Sequence, residues 1–263
     1  MNRRSIVLTS LVSVAAIAAI AFAGMPQPDA GRASADTIAA AGARTTTAPP
    51  APPRTAATAV LVELFTSQGC SSCPPADVVL EQIAADPAVV AISRNVTYWD
   101  RLGWRDSLGR EANTALQRRY AARGVDGGEV YTPQAVVNGA SGVIGSHANE
   151  LRRAIGSAAA TRPVHLRITG QSVSTESPTN GAELRFIAVA ARRNVRVDRG
   201  ENGGRTLSYH NVVIDEALVS CAAAGACSAE LPATVRNARG ADRWAVVLQR
   251  RGGGAVLAAR WLP

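Results

Sequence analysis

The sequence predicts an α/β fold: a small four-stranded mixed sheet flanked by helices over residues 58–162, followed by a mainly antiparallel β unit over residues 163–263. Three observations predict it. Residues 59–65 form an apolar run broken only by Glu63, as expected of a strand buried on both faces. From there to Arg162 the apolar residues switch repeatedly between helical and strand spacing. Beyond Pro163 they fall only in strand-like runs separated by Gly, Asn and Arg.

Each element has its own local signal. Pro74-Pro75 follows the first strand and suits the first helical positions, where a missing N–H forfeits no bond; Val79, Leu80, Ile83 and Ala84 then recur at helical spacing. Asp86-Pro87 breaks that helix and introduces a second strand, Val89 to Val96. A polar and aromatic loop, Tyr98 to Ser107, leads into a helix from Leu108 to Arg123 with Ala112, Ala115, Leu116 and Tyr120 on one face. Asn138-Gly139 lies between Ala135-Val136-Val137 and Val143-Ile144, which signals a hairpin. Ser146 caps a last helix carrying Leu151, Ala154, Ile155 and Ala158 at i, i+3, i+4 and i+7. The order β-α-β-α-β-β-α gives two parallel strands joined by a crossover, an antiparallel hairpin and a closing helix. Five further strands follow, at His165 to Thr169, Leu184 to Ala191, Leu207 to Ile214, Trp244 to Gln249 and Ala255 to Trp261; they form a mainly antiparallel unit, sandwich-like or an extension of the first domain.

Residues 1–35 read as a secretory signal peptide. Asn2-Arg3-Arg4 is basic, Ile6 to Ala23 is apolar, and Ala21-Phe22-Ala23 and Ala33-Ser34-Ala35 offer cleavage sites. Left uncleaved, the apolar run would also serve as a membrane anchor. Residues 36–57 are an Ala/Pro/Thr-rich linker. The expected location is therefore secreted or periplasmic, where thiols meet oxidising conditions. All 28 basic residues are arginine and the net charge is +8. The arginines are scattered and aromatic content is 4%, so no stacking platform exists and no nucleic-acid partner is expected.

Chemistry concentrates at Cys70-Ser71-Ser72-Cys73, between the first strand and the first helix. A helix N-terminus favours the thiolate, which is the form that attacks disulfides. Cys70 would attack and Cys73 would resolve the resulting mixed disulfide. A structural staple is the plainer alternative, but a bridge this short restrains the unfolded chain little. A metal shell completed by His147, His165 or His210 lacks the second short-spaced cysteine pair usual for zinc, and copper handling by the two thiols alone is a further alternative. The redox reading requires neither metal nor organic cofactor. Cys221 and Cys227 suit a local structural disulfide worth about 2 kcal/mol at most. Trp99 and Trp104 belong to a loop at the same edge of the sheet as Cys70 and serve either as an apolar shelf for substrate or as loop packing. Asp100, Arg101, Arg105 and Asp106 read as solvated charges, and Asp77 as a complement to the helix dipole.

The run Val62-Glu63-Leu64-Phe65-Thr66-Ser67-Gln68-Gly69-Cys70-Ser71-Ser72-Cys73-Pro74-Pro75-Ala76-Asp77, with Tyr98-Trp99-Asp100 and Tyr131-Thr132-Pro133-Gln134, resembles the secreted bacterial thioredoxin-like family known as domain of unknown function twelve twenty-three. The resemblance is densest over residues 60–155 and looser around Gly200-Glu201-Asn202 and Asn211-Val212-Val213. It implies a thioredoxin-like fold in which Cys70 attacks, Cys73 resolves and Pro133 is a cis-proline facing them. It further implies that the Thr132 backbone pairs with an extended substrate and that Glu63 stands for the buried acid near the resolving thiol. The expected function is an exported thiol-disulfide oxidoreductase acting on protein or small-thiol disulfides, with a redox partner in the envelope. The alternative from another class is a non-catalytic envelope binding module on the same scaffold.

Overall fold

The computed structural model describes residues 59–159, 164–176, 179, 181–222 and 225–263; the expected signal peptide and linker lie outside them. The chain is α/β, with a large mixed sheet and few helices. In order come β1 (Val60–Thr66), α1 (Pro74–Ala84), β2 (Val89–Asn95), α2 (Glu111–Ala122), β3 (Gln134–Val137), β4 (Ser141–Ile144) and α3 (Ala148–Ala159). Next are β5 (Leu166–Thr169), β6 (Ser172–Thr175), β7 (Ala182–Arg196), β8 (Thr206–Ser220), β9 (Ser228–Glu230), α4 (Ala233–Arg236), β10 (Arg243–Arg250) and β11 (Val256–Trp261).

Eight strands form one sheet in the order β11-β10-β7-β8-β2-β1-β3-β4, and β5-β6-β9 form a second. β1 is buried along its whole length, paired in parallel with β2 and antiparallel with β3. Its alternate residues face opposite layers, as a pleated strand requires. Val60, Val62 and Leu64 pack with Ala76, Val79, Leu80 and Ile83 of α1 and Leu151 of α3. Leu61 packs toward Ile187, Val213 and Val247, and Phe65 meets Tyr120 of α2 edge-on. Asn138 and Gly139 turn the β3–β4 hairpin with φ of 47° and 63°, the left-handed pair that an Asn-Gly turn demands.

The sheet expected to have four strands has eight, because β7, β8, β10 and β11 add to it beside β2. Backbone pairing at the seam is slight: β8 meets β2 in a single register pair, Ser93 with Val212, beside Asn211, whose side-chain amide donates to the Ala91 carbonyl at 2.9 Å. Side chains strengthen it. Arg94 of β2 donates to Glu63 of β1 and to Glu216 of β8, both at 2.6 Å. Arg185 of β7 reaches the same two carboxylates at 3.0 and 3.1 Å. Tyr120 donates to Glu63, and Gln249 of β10 both accepts from Arg185 and donates to Tyr120 at 3.1 Å. The far edge also returns to β1, where the Ala59 amide donates to the Ala259 carbonyl at 3.0 Å.

β7 and β8 are fifteen residues each, about twice the sequence-based length. Only Ala182–Val189 of β7 pairs with β10, so beyond the Ala190–Val212 pair, where β8 meets β2, the hairpin continues as a two-stranded arm. The second disulfide joins Cys221 to Cys227 in the core shared by β7, β10 and the small sheet, a structural place.

Candidate functional site

After β1 the chain turns tightly, with the Gly69 amide donating to Ser67 Oγ at 3.1 Å and the Cys70 amide to the Ser67 carbonyl at 3.2 Å. Cys70 and Cys73 are joined as a disulfide with their Cα atoms 5.4 Å apart, and both are fully buried although Ser71 and Ser72 between them are exposed. Cys73 is the N-cap of α1 and Pro74-Pro75 occupy its first turn. Two backbone donors that would otherwise sit in that turn are thereby absent, which leaves the helix end with less direct means of holding an anion than its dipole alone suggests. Ser72 Oγ lies 3.4 Å from Cys70 Sγ and is placed to donate to a thiolate there.

Both tryptophans sit at this turn. A Cβ on Gly69 would lie 3.2 Å from Trp99 Cβ, and Trp104 Nε1 donates to Gln68 Oε1 at 2.9 Å. Trp99 Nε1 also donates to Thr132 Oγ1 at 2.8 Å, tying the loop to the Thr132–Pro133 peptide bond, which is cis. The Pro133 carbonyl accepts from the Gly145 amide at 2.9 Å, and a Cβ on Gly145 would stand 3.1 Å from Ala76 Cβ and 3.4 Å from Pro133 Cβ. Gly145 thus lets the Pro133 loop approach the start of α1. Thr132, Pro133, Trp99 and Trp104 are therefore grouped around the cysteine turn.

Glu63 is engaged elsewhere. Its oxygens are taken by Arg94, Arg185 and Tyr120. Burial pushes its carboxyl up, but Arg94, Arg185 and the Tyr120 hydroxyl overcome that and hold it below the usual range, so it remains ionised. A carboxylate so tightly held is a poor proton carrier. The reason is strand parity: Glu63 faces the α2 and β7 layer, while the residues beside it face α1.

A different acid lies close to Cys73. The Asp77 amide donates to the Cys73 carbonyl at 3.2 Å, one turn along α1, and residues four apart share a helix face with Cβ atoms about 6 Å apart. Asp77 is buried and its carboxyl oxygens make no geometrically formed hydrogen bond among the described residues, nor do Thr66 Oγ1, Asn95 Oδ1 and Tyr209 Oη, although the Thr66 hydroxyl is near enough to act on the carboxyl electrostatically. Burial pushes the Asp77 carboxyl well above the carboxylate range, the neighbouring Thr66 hydroxyl offsets part of this, and Asp106 adds to it. Asp106 is not the solvated charge expected: it is buried and accepts from the Gln68 amide at 2.8 Å, Asn95 Nδ2 at 2.9 Å and the Leu108 amide at 2.8 Å, holding the loop onto the cysteine turn.

A raised carboxyl pKa has a definite stability signature. Between its unfolded and its raised folded value, unfolding releases the Asp77 proton, so stability falls as pH rises through that window and levels off above it. Asp77→Asn should therefore be more stable than wild type at pH 7 by about 1–2 kcal/mol, with the gap closing near pH 4. Urea unfolding at both pH values checks this.

The site holds a contribution that local sequence reading missed. At the β7–β8 tip, Asn202 Nδ2 donates to the Gln68 carbonyl at 3.0 Å and to the Cys70 carbonyl at 2.9 Å, and Glu201 accepts from the Ser71 amide at 3.0 Å. The looser resemblance around Gly200-Glu201-Asn202 was the available signal, but nothing local linked it to cysteines 130 residues away.

The family model described as protein of unknown function DUF1223 matches residues 61–249. The chain belongs to this family. A crystal structure of a protein from Agrobacterium tumefaciens is similar at 31% identity and a TM-score of 0.64, covering 77% of this chain and 93% of that one. HBP35 of Porphyromonas gingivalis aligns at 11% identity and a TM-score of 0.46, covering 78% of this chain and 74% of that one, a likeness too low to carry an argument. No curated protein matches.

Proposed function

We propose that the protein is an exported thiol-disulfide oxidoreductase with a thioredoxin-like arrangement around Cys70 and Cys73. The observation that carries this reading is a disulfide across two residues at the strand-to-helix junction, capping α1. It is supported by the strand order β2-β1-β3-β4 with α1 connecting β1 to β2 and α2 connecting β2 to β3, and by the cis Thr132–Pro133 bond in the loop near the start of α1. A substrate thiolate attacks Cys70 Sγ; a substrate–Cys70 bond forms, the Cys70–Cys73 bond breaks, and its electron pair leaves on Cys73. Asp77 gives that thiolate its proton, taking the part expected of Glu63. A second substrate thiol then attacks the mixed disulfide, releasing oxidised substrate and the reduced pair. In the opposite direction Cys73 resolves the mixed disulfide and Asp77 receives the proton.

The substrates are protein or small-thiol disulfides in an exported compartment, with a redox partner there restoring the pair. Equilibration with glutathione or dithiothreitol buffers tests the reading. A working pair should titrate between about −270 and −120 mV, whereas a staple belongs below about −300 mV and would leave the scaffold reading in its place.

A further inference from the structure

A reactive cysteine is normally partly exposed, yet Cys70 here is fully buried. The tip of the β7–β8 arm is bonded to the backbone of the turn that carries it. Asp198 to Gly204 is an exposed tip apart from Asn202, which is fully buried and directed into the cysteine turn. Its amide nitrogen holds the carbonyls on either side of Gly69, and Arg205 Nη1 fixes the other end of the same amide by donating to Oδ1 at 2.6 Å. Glu201 holds the next backbone donor, Ser71 N–H. Gly200, at φ 78°, lets the tip come within 3.3 Å of Trp104 Cβ from the position a Cβ would take. The arm behind the tip packs through Val197, Leu207 and Tyr209 against Trp104 and Leu108.

Parting these contacts takes the Asn202 donor from the Gln68 carbonyl, while the other groups involved have replacements. The Cys70 carbonyl also accepts from the Cys73 amide at 3.2 Å, and Glu201, Ser71 and the rest of the tip lie at the surface where water replaces the lost bonds. In-line attack needs the incoming sulfur behind Cys70 Sγ, a space denied while the sulfur is covered. We infer that Asn202 and Glu201 are specificity-determining residues: the Gly200–Asn202 tip closes over Cys70, admits small thiols through slight movements, and must lift before a protein thiol can reach the disulfide. This rests on the exchange reading above.

The test compares reduction of the Cys70–Cys73 disulfide by dithiothreitol and by reduced, unfolded ribonuclease A, followed by alkylation and mass spectrometry. Asn202→Ala should accelerate the protein reagent about tenfold or more while changing the dithiothreitol rate less than about threefold. Glu201→Ala, at an exposed position and so free of folding risk, should shift the ratio of the two rates in the same direction by about two- to fivefold. Amide exchange at Ser71 should quicken in both variants. An unchanged ratio of the two rates in both variants overturns the gate. Failure of wild type to react with either reagent would instead remove the exchange reading, and the gate with it.

Discussion

Arg185→Met is expected to destabilise the protein by about 3–5 kcal/mol, the largest stability effect of any single change considered, because it leaves a buried carboxylate short of a partner. Arg185 is 1% exposed and is shared between Glu63, Glu216, Tyr120 and Gln249, so one guanidinium joins β1, β7, β8, β10 and α2. The seam it crosses has a single β2–β8 register pair. The pH dependence is diagnostic. Burial raises the Glu216 carboxyl, but Arg185 and Arg94 outweigh it and hold the group at about 2. A depressed pKa stabilises the fold above the unfolded carboxyl value and ceases to do so as pH falls toward 2. Wild type should lose this contribution on acidification, and Arg185→Met should lose much less, so their stabilities converge in acid. Arg185→Met combined with Glu216→Met leaves the neutral Arg94–Glu63 pair and should recover most of the loss. Urea titrations of the three proteins measure all of this; a single-variant loss below about 1 kcal/mol would show that the cluster does not hold the seam.

Cys70→Ser is expected to lower thiol-disulfide exchange by about 10³-fold or more, because no other described cysteine is placed to replace it. Cys221 and Cys227 are committed to each other in a separate core. Cys73→Ala should behave differently: Cys70 still attacks, but the mixed disulfide persists. The asymmetry distinguishes attack from resolution, since a structural staple would be disabled alike by either change. Insulin reduction with dithiothreitol, together with intact-mass measurement, resolves the two variants.

Much of the fold was legible because its signals are local. Pro74-Pro75 marks the start of α1, Asn138-Gly139 the β3–β4 turn, and the apolar run the central strand. β6 and β9 were missed because they are short and mostly polar, so neither spacing nor composition separates them from loop. The cysteines, both tryptophans and Pro133 could be named from sequence, and the fold groups them. Asp77 and Asp106 were misjudged for one physical reason. A first-turn acid and a loop acid normally face water, and what buries them here is distant chain, including Tyr209 and the loop onto Gln68. Glu63 carries the opposite lesson, since its partner Arg185 is 122 residues away. Asn202 depends on a long hairpin reaching back over the first strand, a relation that no short window of sequence contains.

The most direct measurement is trapping. Cys73→Ala, produced as the full chain, would be recovered from its host's cell-envelope and secreted fractions under acid quench and resolved without reductant. The account predicts mixed disulfides that vanish on reduction and are absent from a Cys70→Ser/Cys73→Ala control. A Cys73→Ala protein that carries no partner on Cys70, in a fraction where other exchange-active thiols are trapped, would contradict it.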